Sequence, residues 1–345
     1  MNIQKNISLL PYNTFAVNIQ ADFFVEVTNE QDIFDLISTD VFSTQTHFIL
    51  GGGANILFTK NYTGLIIKVS LLGKEVVKEE GNTVYIKIGA GEDWHKAMMR
   101  ALEQGYVGGE NLVLIPGEVG SAPVGNIGAY GKEAKDIISE VEGIDIVTKE
   151  KKVWTNNECK FTYRESIFKN ELKNKVIVTA VTFVFEKQSA DYIPNIQYND
   201  IQESIGEQGI DPSKITALQL ANIIIKIREG KMPDRKKTGT AGSFFKNPVV
   251  GKDQFEKLLL EYPQLKGNEI HTTGAAFKLS AGQLIEFAGF KGKSEGLVAT
   301  YDKHALVIIN KGGASGGDIR AFAQAIQKKV LELFDVQLEP EVIIM

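Results

Sequence analysis

A glycine-rich, apolar stretch in the middle of the chain, Glu110 to Gly131, constrains the fold more than any other feature. It reads ENLVLIPGEVGSAPVGNIGAYG, with five glycines and two prolines among apolar side chains and few charges. An ordinary solvent-exposed loop is more polar, and glycine allows a backbone to approach a neighbouring group closely. The composition therefore favours a stiff backbone track against a large, flat, partly apolar ligand. A compact loop that packs on itself stays open as the alternative.

Another glycine cluster, Gly51 to Asn55, lies earlier in the chain and directly follows the short apolar strand candidate His47–Leu50. In chain order, 51–55 is the first glycine segment and 110–131 is the second. Consecutive glycines after a strand allow several N–H groups to point at one anion, such as a phosphate. The pattern does not fit the G-x-G-x-x-G fingerprint of a Rossmann site, because Ile56 occupies the place of its third glycine. Taken alone, the cluster is more typical of a tight turn.

Length and charge narrow the class of protein. The chain has 345 residues, which exceeds the roughly 250–300 residues that one hydrophobic core usually serves. Its formal net charge of −5 argues against a general nucleic-acid or anionic-membrane binder, which needs a basic face. The N-terminal residues lack a signal-peptide pattern, and no apolar run approaches the ~20 residues that cross a bilayer. We therefore expect a cytoplasmic protein of two or three lobes.

The single cysteine and four scattered histidines predict that the protein binds no metal. One thiol cannot close an intrachain disulfide or supply a cysteine-rich zinc site, and the sequence has no HExxH pair. Cys159 is also a candidate nucleophile, but no histidine lies near it in the sequence, so a packing role is favoured.

Alternating apolar patterns predict a chain of mixed strands and helices. Strands are predicted at 22–27, 47–50, 65–69, 82–88, 138–147, 151–154, 175–186, 305–309 and 337–345. Helices are predicted at 30–38, 93–104, 215–228, 253–261, 281–288 and 317–334, and a basic loop at 230–248. We expect the strands between 138 and 186 to form an antiparallel sheet, and the last strand to close the fold.

Six motifs in a fixed order together resemble a known enzyme family. They are Asn13-Thr14-Phe15, LGGGANILF (50–58), the stretch 110–131, FTYRESIFK (161–169), GTAGSFFKNP (239–248) and LEPEV (338–342). In this order, and over almost the whole chain, they resemble the UDP-N-acetylenolpyruvoylglucosamine reductases. The long segment between 186 and 213, which contains Tyr198, is similar to the longer-looped type of that family.

The resemblance implies an α+β fold. It consists of a two-subdomain FAD-binding domain of the vanillyl-alcohol-oxidase-like class and a third, α/β lobe that binds the substrate. The expected boundaries are 1–70 and 71–210 for the two FAD-binding subdomains, 211–335 for the substrate-binding lobe and 336–345 for a closing C-terminal strand. We expect a monomer whose partners are small molecules, NADPH and a UDP-sugar, with no nucleic acid and no membrane insertion.

The resemblance places FAD on the two glycine-bearing segments. The implied cofactor-binding residues are Gly51, Gly52, Gly53, Ala54, Asn55, Ile56, Leu57, Pro116, Gly117, Gly120, Ser121, Pro123, Asn126, Ile127, Gly128 and Ala129. The implied substrate-binding residues are Tyr198, Arg228, Lys231 and Asn247, and Lys231 and Asn247 match residues that hold the UDP moiety. The chain departs from the family pattern at Ala54, where a serine is common, and at Ile343, where some relatives have an arginine.

The implied reaction reduces the enolpyruvyl ether of UDP-N-acetylglucosamine enolpyruvate to UDP-N-acetylmuramate with FAD and NADPH, in peptidoglycan precursor synthesis. Hydride addition to one alkene carbon leaves negative charge on the next, which must receive one proton. Ser243 is the candidate proton donor, because an alkanol held in line protonates a strongly basic carbon. Arg164 is the candidate electrophile, since a guanidinium binds a carboxylate or enolate through two parallel hydrogen bonds. Glu341 is the candidate partner in the acid relay or at the enol, and the motif selects it over Glu339.

Residue types alone are compatible with less specific roles. Ser243 fits a turn cap, Arg164 a surface ion pair, and Glu341 a solvated strand end. An alcohol oxidase of the same fold and a non-catalytic nucleotide-sugar binding protein are the alternative functions. Such oxidases often tether the flavin through histidine or cysteine, and neither type occurs between Met98 and Tyr130, which disfavours a tether there. A basic group suits a diphosphate, and its members are Lys231, Arg235, Lys236, Lys237 and Lys246.

Overall fold

The computed structural model describes residues 1–270 and 276–345, and the chain divides into two compact units. The first unit consists of Met1–Ile7, Ala21–Gly53 and Thr63–Gly230, and the second of Ser8–Gln20, Ala54–Tyr62 and Lys231–Met345. Each unit therefore combines segments that are distant in the sequence. The four segment boundaries expected from the sequence stay a prediction.

The described residues form both strands and helices. The strands are β1 (Ile3–Ser8), β2 (Gln20–Val27), β3 (His47–Leu50), β4 (Ile56–Leu57), β5 (Tyr62–Val69), β6 (Lys74–Glu80), β7 (Thr83–Gly89), β8 (Tyr106–Val107), β9 (Gly128–Ala129), β10 (Lys132–Glu133), β11 (Ile138–Asp145), β12 (Glu150–Thr155), β13 (Val176–Lys187), β14 (Gly239–Ser243), β15 (Val249–Gly251), β16 (Gly267–Ile270), β17 (Ala276–Leu279), β18 (Ser294–Glu295), β19 (Val298–Tyr301), β20 (His304–Asn310) and β21 (Ile343–Ile344). The helices are α1 (Glu30–Leu36), α2 (Asp40–Thr44), α3 (Trp94–Glu103), α4 (Ala122–Gly125), α5 (Asn199–Glu207), α6 (Ala217–Lys231), α7 (Lys252–Glu261), α8 (Ala281–Phe287) and α9 (Gly316–Phe334).

Two main sheets carry the first unit. One has the strand order β1-β2-β5-β3, and its β3 and β5 run parallel with Leu50 opposite Lys68. The other has the order β12-β11-β13-β7-β6, and β8 also pairs with β13. A continuous apolar core that extends from Val25 to Ile224 in sequence fills this unit. The strand that leads into the first glycine cluster, β3, is therefore anchored in a sheet.

Helix α3 forms because its apolar residues recur on one face. That buried face consists of Trp94, Ala97, Met98, Ala101 and Leu102. The Asp93 carboxylate accepts the N–H of Lys96 at 2.8 Å and caps the helix, and Gly105 with φ of 79° follows its end. The Trp94 indole donates to the Leu112 carbonyl at 2.8 Å, so the helix also fixes the start of the second glycine segment.

The second unit packs helices on a four-stranded sheet of order β14-β20-β19-β18, beside a three-stranded sheet of order β15-β17-β16. Helix α9 begins at a capping box, in which the Ser315 hydroxyl accepts the Asp318 N–H at 3.1 Å and the Asp318 carboxylate accepts the Ser315 N–H at 2.9 Å. The C-terminal strand β21 runs parallel to β4, with Ile343 opposite Ile56. Within 1–270 and 276–345, no helix is both long and apolar enough to cross a bilayer.

Most predicted elements are present within a few residues of their predicted ends. The strand predicted at 47–50 is β3, and the helix predicted at 93–104 is α3. The three strands between 138 and 186 are β11, β12 and β13, and they pair in antiparallel fashion as expected. Helix α6 starts after Thr216, whose hydroxyl accepts the N–H of Gln219 at 3.1 Å, as an N-cap residue does.

Two predictions are wrong in part. The loop expected at 230–248 contains β14, whose residues GTAGS pair with β20 although only one of them is β-branched. Pairing with a neighbouring strand therefore outweighs weak local propensity. The strand expected at 337–345 is reduced to β21 and a single bridge between Phe245 and Pro340, because proline has no N–H for a strand ladder.

The start of α9 offers a matched pair of glycines for a stability test. A Cβ atom on Gly316 would overlap the Phe58 carbonyl, whereas a Cβ atom on Gly317 would have its nearest neighbour, the Ser315 hydroxyl, at 3.5 Å. We expect Gly316→Ala to lower the free energy of unfolding by about 1–3 kcal/mol. Gly317→Ala should leave it unchanged or raise it by up to ~1 kcal/mol, because alanine favours helix. Urea denaturation measures both, and equal stability of the two variants would contradict the packing.

Candidate active site

The two glycine segments predicted to bind a ligand lie against each other in the first unit. Strand β3 ends at Leu50 and leads into Gly51, where a Cβ atom would overlap the hydroxyl oxygen of Ser121. A Cβ atom on Gly52 would lie 3.3 Å from the Cα of Gly117. Only glycine permits so close an approach, so the backbone of one segment rests directly on the other.

Three N–H groups of the first segment are available to bind a ligand. Among the residues that the structure describes, the N–H groups of Gly52, Ala54 and Asn55 are bonded to no protein acceptor. Gly53 lies between them with φ of 61°, so the chain turns sharply there. Successive N–H groups in such a turn form a concave site for a phosphate or another anion.

The second segment is a track held by main-chain hydrogen bonds. The Gly117 carbonyl accepts the Trp94 N–H at 3.1 Å, and the Gly120 N–H donates to the Ala90 carbonyl at 2.8 Å. A Cβ atom on Gly120 would lie 2.5 Å from the Cβ of Ala90, so this position also requires glycine. Helix α4 follows and ends at Asn126, which has a left-handed φ of 42°. The segment is therefore held in place by hydrogen bonds to the backbone of Ala90 and Trp94.

Asn126 uses its whole side chain to shape this track. Its amide nitrogen donates to the Glu133 carboxylate at 3.0 Å and to the Thr162 carbonyl at 2.9 Å. Its amide oxygen accepts the N–H of Lys135 at 3.0 Å. Both donor hydrogens of the amide are thus used within the protein. The Asn126 side chain is therefore fully engaged within the protein.

Arg164, the predicted electrophile, lies beside the second segment. Its Nη2 donates to the Gly128 carbonyl at 2.9 Å and its Nη1 to the Asn126 carbonyl at 3.3 Å. Lys169 donates to the Arg164 carbonyl at 2.7 Å, and the backbone of Arg164 has a φ of 59°. That conformation costs a residue other than glycine about 1–3 kcal/mol and is frequent at functional sites. The guanidinium is thus fixed relative to the second glycine segment.

A partly buried ion pair that the sequence analysis missed lies at the contact between the segments. Lys68 is 8% exposed, and its Nζ lies 2.8 and 2.9 Å from the two carboxylate oxygens of Glu118. Burial raises the pKa of Glu118, and the neighbouring Lys68 ammonium opposes that rise. The signal in the sequence is a single lysine inside the apolar strand LIIKVS.

Tyr198, predicted to contact the substrate, lies just before α5 on a segment tied to the second glycine segment. Its ring meets that of Tyr130 edge-on, with centroids 5.5 Å apart. The Tyr192 hydroxyl donates to the buried Glu110 carboxylate at 3.0 Å, and burial raises the pKa of Tyr192 far above its usual range. Burial also raises the pKa of Tyr130, and the positive charge of Arg228 opposes that rise. Arg228 and Tyr198, both predicted to bind substrate, therefore have Tyr130 in common as a neighbour.

Ser243, the predicted proton donor, ends β14 in the second unit. Gly242 before it has a φ of 77°, and the register between β14 and β20 shifts between Thr240 and Ser243. Such an irregularity re-aims the side chain at the end of a strand. Ser243 is half-buried, whereas Phe244 and Phe245 after it are 0% and 1% exposed. The serine therefore follows a bulge and precedes two residues that are locked in the core.

Glu341 is held next to this strand end by its main chain. Its N–H donates to the Phe244 carbonyl at 2.8 Å, and its carbonyl accepts the Asn55 side-chain amide at 3.2 Å. The neighbouring candidate, Glu339, has a side chain that is 70% exposed and lies 3.4 Å from the Lys246 ammonium. The structure therefore brings Glu341 together with the Ser243 strand end, whereas Glu339 is engaged at the surface.

The remaining predicted residues have varied surroundings. Ile56 and Leu57 are buried, so their side chains belong to the core. The Asn247 side-chain oxygen accepts the Ala281 N–H at 3.0 Å, at the start of α8. Lys231 is exposed at the end of α6. Asn247 is therefore partly engaged within the protein, while Lys231 is accessible to solvent.

Cys159 has the packing role that its sequence surroundings favoured. Its side chain is buried, and burial raises the pKa of the thiol to about 12. A thiol with this pKa stays protonated near neutral pH and is a poor nucleophile.

The contact between the glycine segments can be tested by a double substitution. We expect Gly51→Ala to lower the free energy of unfolding by about 0.5–1.5 kcal/mol, because its Cβ displaces the Ser121 hydroxyl from its rotamer. Ser121→Ala removes that oxygen and leaves its Cβ at 3.6 Å, so the double variant should regain most of the loss. Gly125→Ala, with no atom within 4 Å of the new Cβ, is the matched control. If urea unfolding gives the single and double variants the same deficit, the contact is not as described.

Comparison with known proteins finds family models that match an N-terminal and a C-terminal part of the chain. The family model of the FAD binding domain matches residues 21–155, and the model of the UDP-N-acetylenolpyruvoylglucosamine reductase C-terminal domain matches residues 233–345. The UDP-N-acetylenolpyruvoylglucosamine reductase of Flavobacterium johnsoniae is 41% identical over 342 residues, which cover 99% of each chain. That of Bacteroides fragilis is 40% identical over 340 residues, again 99% of each chain.

The fold is also that of a solved relative. The crystal structure of UDP-N-acetylenolpyruvylglucosamine reductase from Thermus caldophilus matches 100% of this chain and 99% of its own, with a TM-score of 0.67 and 22% identity. The expected α+β fold with an FAD-binding domain is thereby confirmed, and the cofactors are FAD and NADPH. Since relatives about 40% identical align over the full length, this chain belongs to the UDP-N-acetylenolpyruvoylglucosamine reductases, the FAD-dependent oxidoreductases of peptidoglycan precursor synthesis.

Proposed function

We propose that this chain uses NADPH and FAD to reduce the enolpyruvyl ether of UDP-N-acetylglucosamine enolpyruvate, which yields UDP-N-acetylmuramate. The observation that carries the proposal is the 2.8 Å hydrogen bond from the Glu341 N–H to the Phe244 carbonyl. This bond holds Glu341, which bears a carboxyl group, beside Phe244, the residue that follows Ser243. A hydroxyl and a carboxyl group at one strand end are the groups that protonation of a carbon requires.

The glycine segments fit FAD in shape and in chemistry. The N–H groups of Gly52, Ala54 and Asn55 would bind its diphosphate, since they have no acceptor among the described residues. On the track from Gly117 to Ser121 the side chain of Val119 is buried and that of Glu118 is bonded to Lys68, so the backbone of Gly117 and Gly120 would be open to the flat isoalloxazine. When bound, FAD supplies the hydride that it takes from NADPH and passes to the substrate alkene.

Ser243 completes the reduction by giving its hydroxyl proton to the second alkene carbon. The electron pair of the broken π bond takes up this proton, so the alkene gains one hydride and one proton in total. Glu341 then returns a proton to the serine oxygen in an acid relay. The buried Phe244 and Phe245 exclude water from the base of this strand end, which favours transfer from the serine over transfer from solvent.

Arg164 stabilises the negative charge that develops on the substrate carboxylate and enol. Its guanidinium is already oriented by the Asn126 and Gly128 carbonyls, so little reorganisation accompanies the reaction. One preorganised donor of this kind typically lowers a barrier by about 3–4 kcal/mol. Tyr198, Arg228, Lys231 and Asn247 hold the sugar nucleotide in this proposal.

Replacement of the proton donor should slow reduction of the substrate by the flavin and leave reduction of the flavin by NADPH unchanged. We expect Ser243→Ala to slow reoxidation of the flavin by the enolpyruvyl substrate by about 10²–10⁴-fold, the usual contribution of a general acid. Reduction of the flavin by NADPH should keep its rate, because no substrate proton is transferred in that step. Anaerobic stopped-flow absorbance measures bleaching by NADPH and recolouring by substrate. The exposed Ser294 on β18, changed to alanine, is the control, and undiminished recolouring in Ser243→Ala would remove the serine from its role.

The two glutamates near the C-terminus form a matched pair. We expect Glu341→Gln to slow substrate-driven reoxidation by at least about tenfold, because glutamine cannot release a proton to the serine. Glu339→Gln removes only the exposed partner of Lys246 and should keep the wild-type rate. The same anaerobic assay compares them, and a larger defect in Glu339→Gln would reverse the assignment.

A further inference from the structure

We propose that Lys68 and Glu118 are positioning residues for FAD, whose ion pair sets the separation of the two glycine segments. This inference rests on the proposed role of those segments in holding the cofactor. Neither residue is among those that the sequence analysis predicted to bind the cofactor. Their function would be to keep the binding surface formed, and no direct contact with the cofactor is required.

Lys68 connects the first segment to the pair through the sheet. It lies on β5, directly opposite Leu50 of the parallel strand β3. Leu50 is the residue immediately before Gly51. Its Nζ donates to the Val69 carbonyl at 2.7 Å and to both oxygens of Glu118 at 2.8 and 2.9 Å. The three donors of the ammonium group are thereby matched by three acceptors. A lysine that is 8% exposed is stable in its charged form only with such partners.

Glu118 connects the second segment to the pair from within the track. It lies between Gly117 and Val119, and its carbonyl accepts the N–H of Ser121 at 3.0 Å. Its side chain passes the first segment, because a Cβ atom on Gly52 would lie 3.4 Å from its Cγ and one on Gly51 would lie 3.5 Å from its Oε2. The carboxylate therefore stands where the segments meet, and the bond to Lys68 spans them.

The opposite charges of Lys68 and Glu118 are the reason why the pair keeps the two segments at a fixed distance. Removal of one partner from a buried ion pair leaves an uncompensated charge, which is far more costly than removal of both. After either single substitution the remaining charged side chain therefore turns toward water. This movement separates the two segments. Asp93 and Glu26 add negative charge around Glu118, so loss of the lysine also leaves three carboxylates to repel one another. A separated pair of segments cannot present both surfaces to one cofactor.

The test measures FAD affinity of the apoprotein by quenching of flavin fluorescence. We expect Lys68→Met and Glu118→Gln each to raise the Kd for FAD at least tenfold, which corresponds to roughly 1.4 kcal/mol. The double variant should lose less than the two single losses combined, because no unpaired charge remains. Lys68→Arg keeps the charge and should recover most of the affinity. Lys87→Met, which breaks the 2.6 Å ion pair with Glu142 on the six-stranded sheet of the same unit, is the matched control and should keep the wild-type Kd.

Hydrogen exchange of the wild-type apoprotein provides a second readout that needs no variant. The proposal expects slow exchange in the peptide that covers 116–121, where the N–H groups of Val119, Gly120 and Ser121 are hydrogen-bonded, since the segments are spaced without the cofactor. Fast exchange there, or single variants that bind FAD as wild type or lose no more affinity than Lys87→Met, would overturn the proposal. A wild-type apoprotein that binds no FAD would instead reject the assignment of the segments to the cofactor, so the two failures are distinguishable.

Discussion

The direct contact of two backbones is the constraint on which the rest of the candidate site in the first unit depends. A Cβ atom on Gly52 would lie 3.3 Å from the Cα of Gly117, which is tighter than an ordinary contact, and one on Gly51 would overlap the side-chain hydroxyl of Ser121. Protein interiors are packed as densely as organic crystals, so even one added methyl group requires a shift. The packing of protein on protein therefore accounts for the glycines of this motif before any contact with a ligand is considered.

The elements around this contact hold the second glycine segment from both ends. At one end, Trp94 of α3 bonds to the Gly117 carbonyl and the Ala90 carbonyl accepts the Gly120 N–H. At the other, Asn126 closes the turn through its side chain, and Arg164 donates to the Gly128 carbonyl. A surface ordered in this way loses little conformational entropy when a cofactor binds. The same hydrogen bonds orient the guanidinium that is proposed to face the substrate charge.

The sequence predicts the local parts of this arrangement and misses the parts that are far apart along the chain. Strand β3 and helix α3 follow from apolar periodicity, and the six ordered motifs point to the family. The ion pair between Lys68 and Glu118 joins residues fifty positions apart, and no periodic pattern connects them. Strand β14 was also missed, because GTAGS becomes a strand through pairing with β20 and has little strand propensity of its own. Long-range pairing is thus what a single sequence cannot supply.

The C-terminal segment shows how the departure at Ile343 is accommodated. The Ile343 N–H donates to the Asn55 carbonyl at 3.0 Å, and the Met345 N–H donates to the Leu57 carbonyl at 2.9 Å. These bonds use only the main chain, so they form with isoleucine as well as with the arginine of some relatives. The Asn55 side chain in turn donates to the Glu341 carbonyl, which ties the acid to the end of the first glycine cluster. The backbone that carries Glu341 is therefore held by main-chain bonds that do not depend on the side chain at position 343.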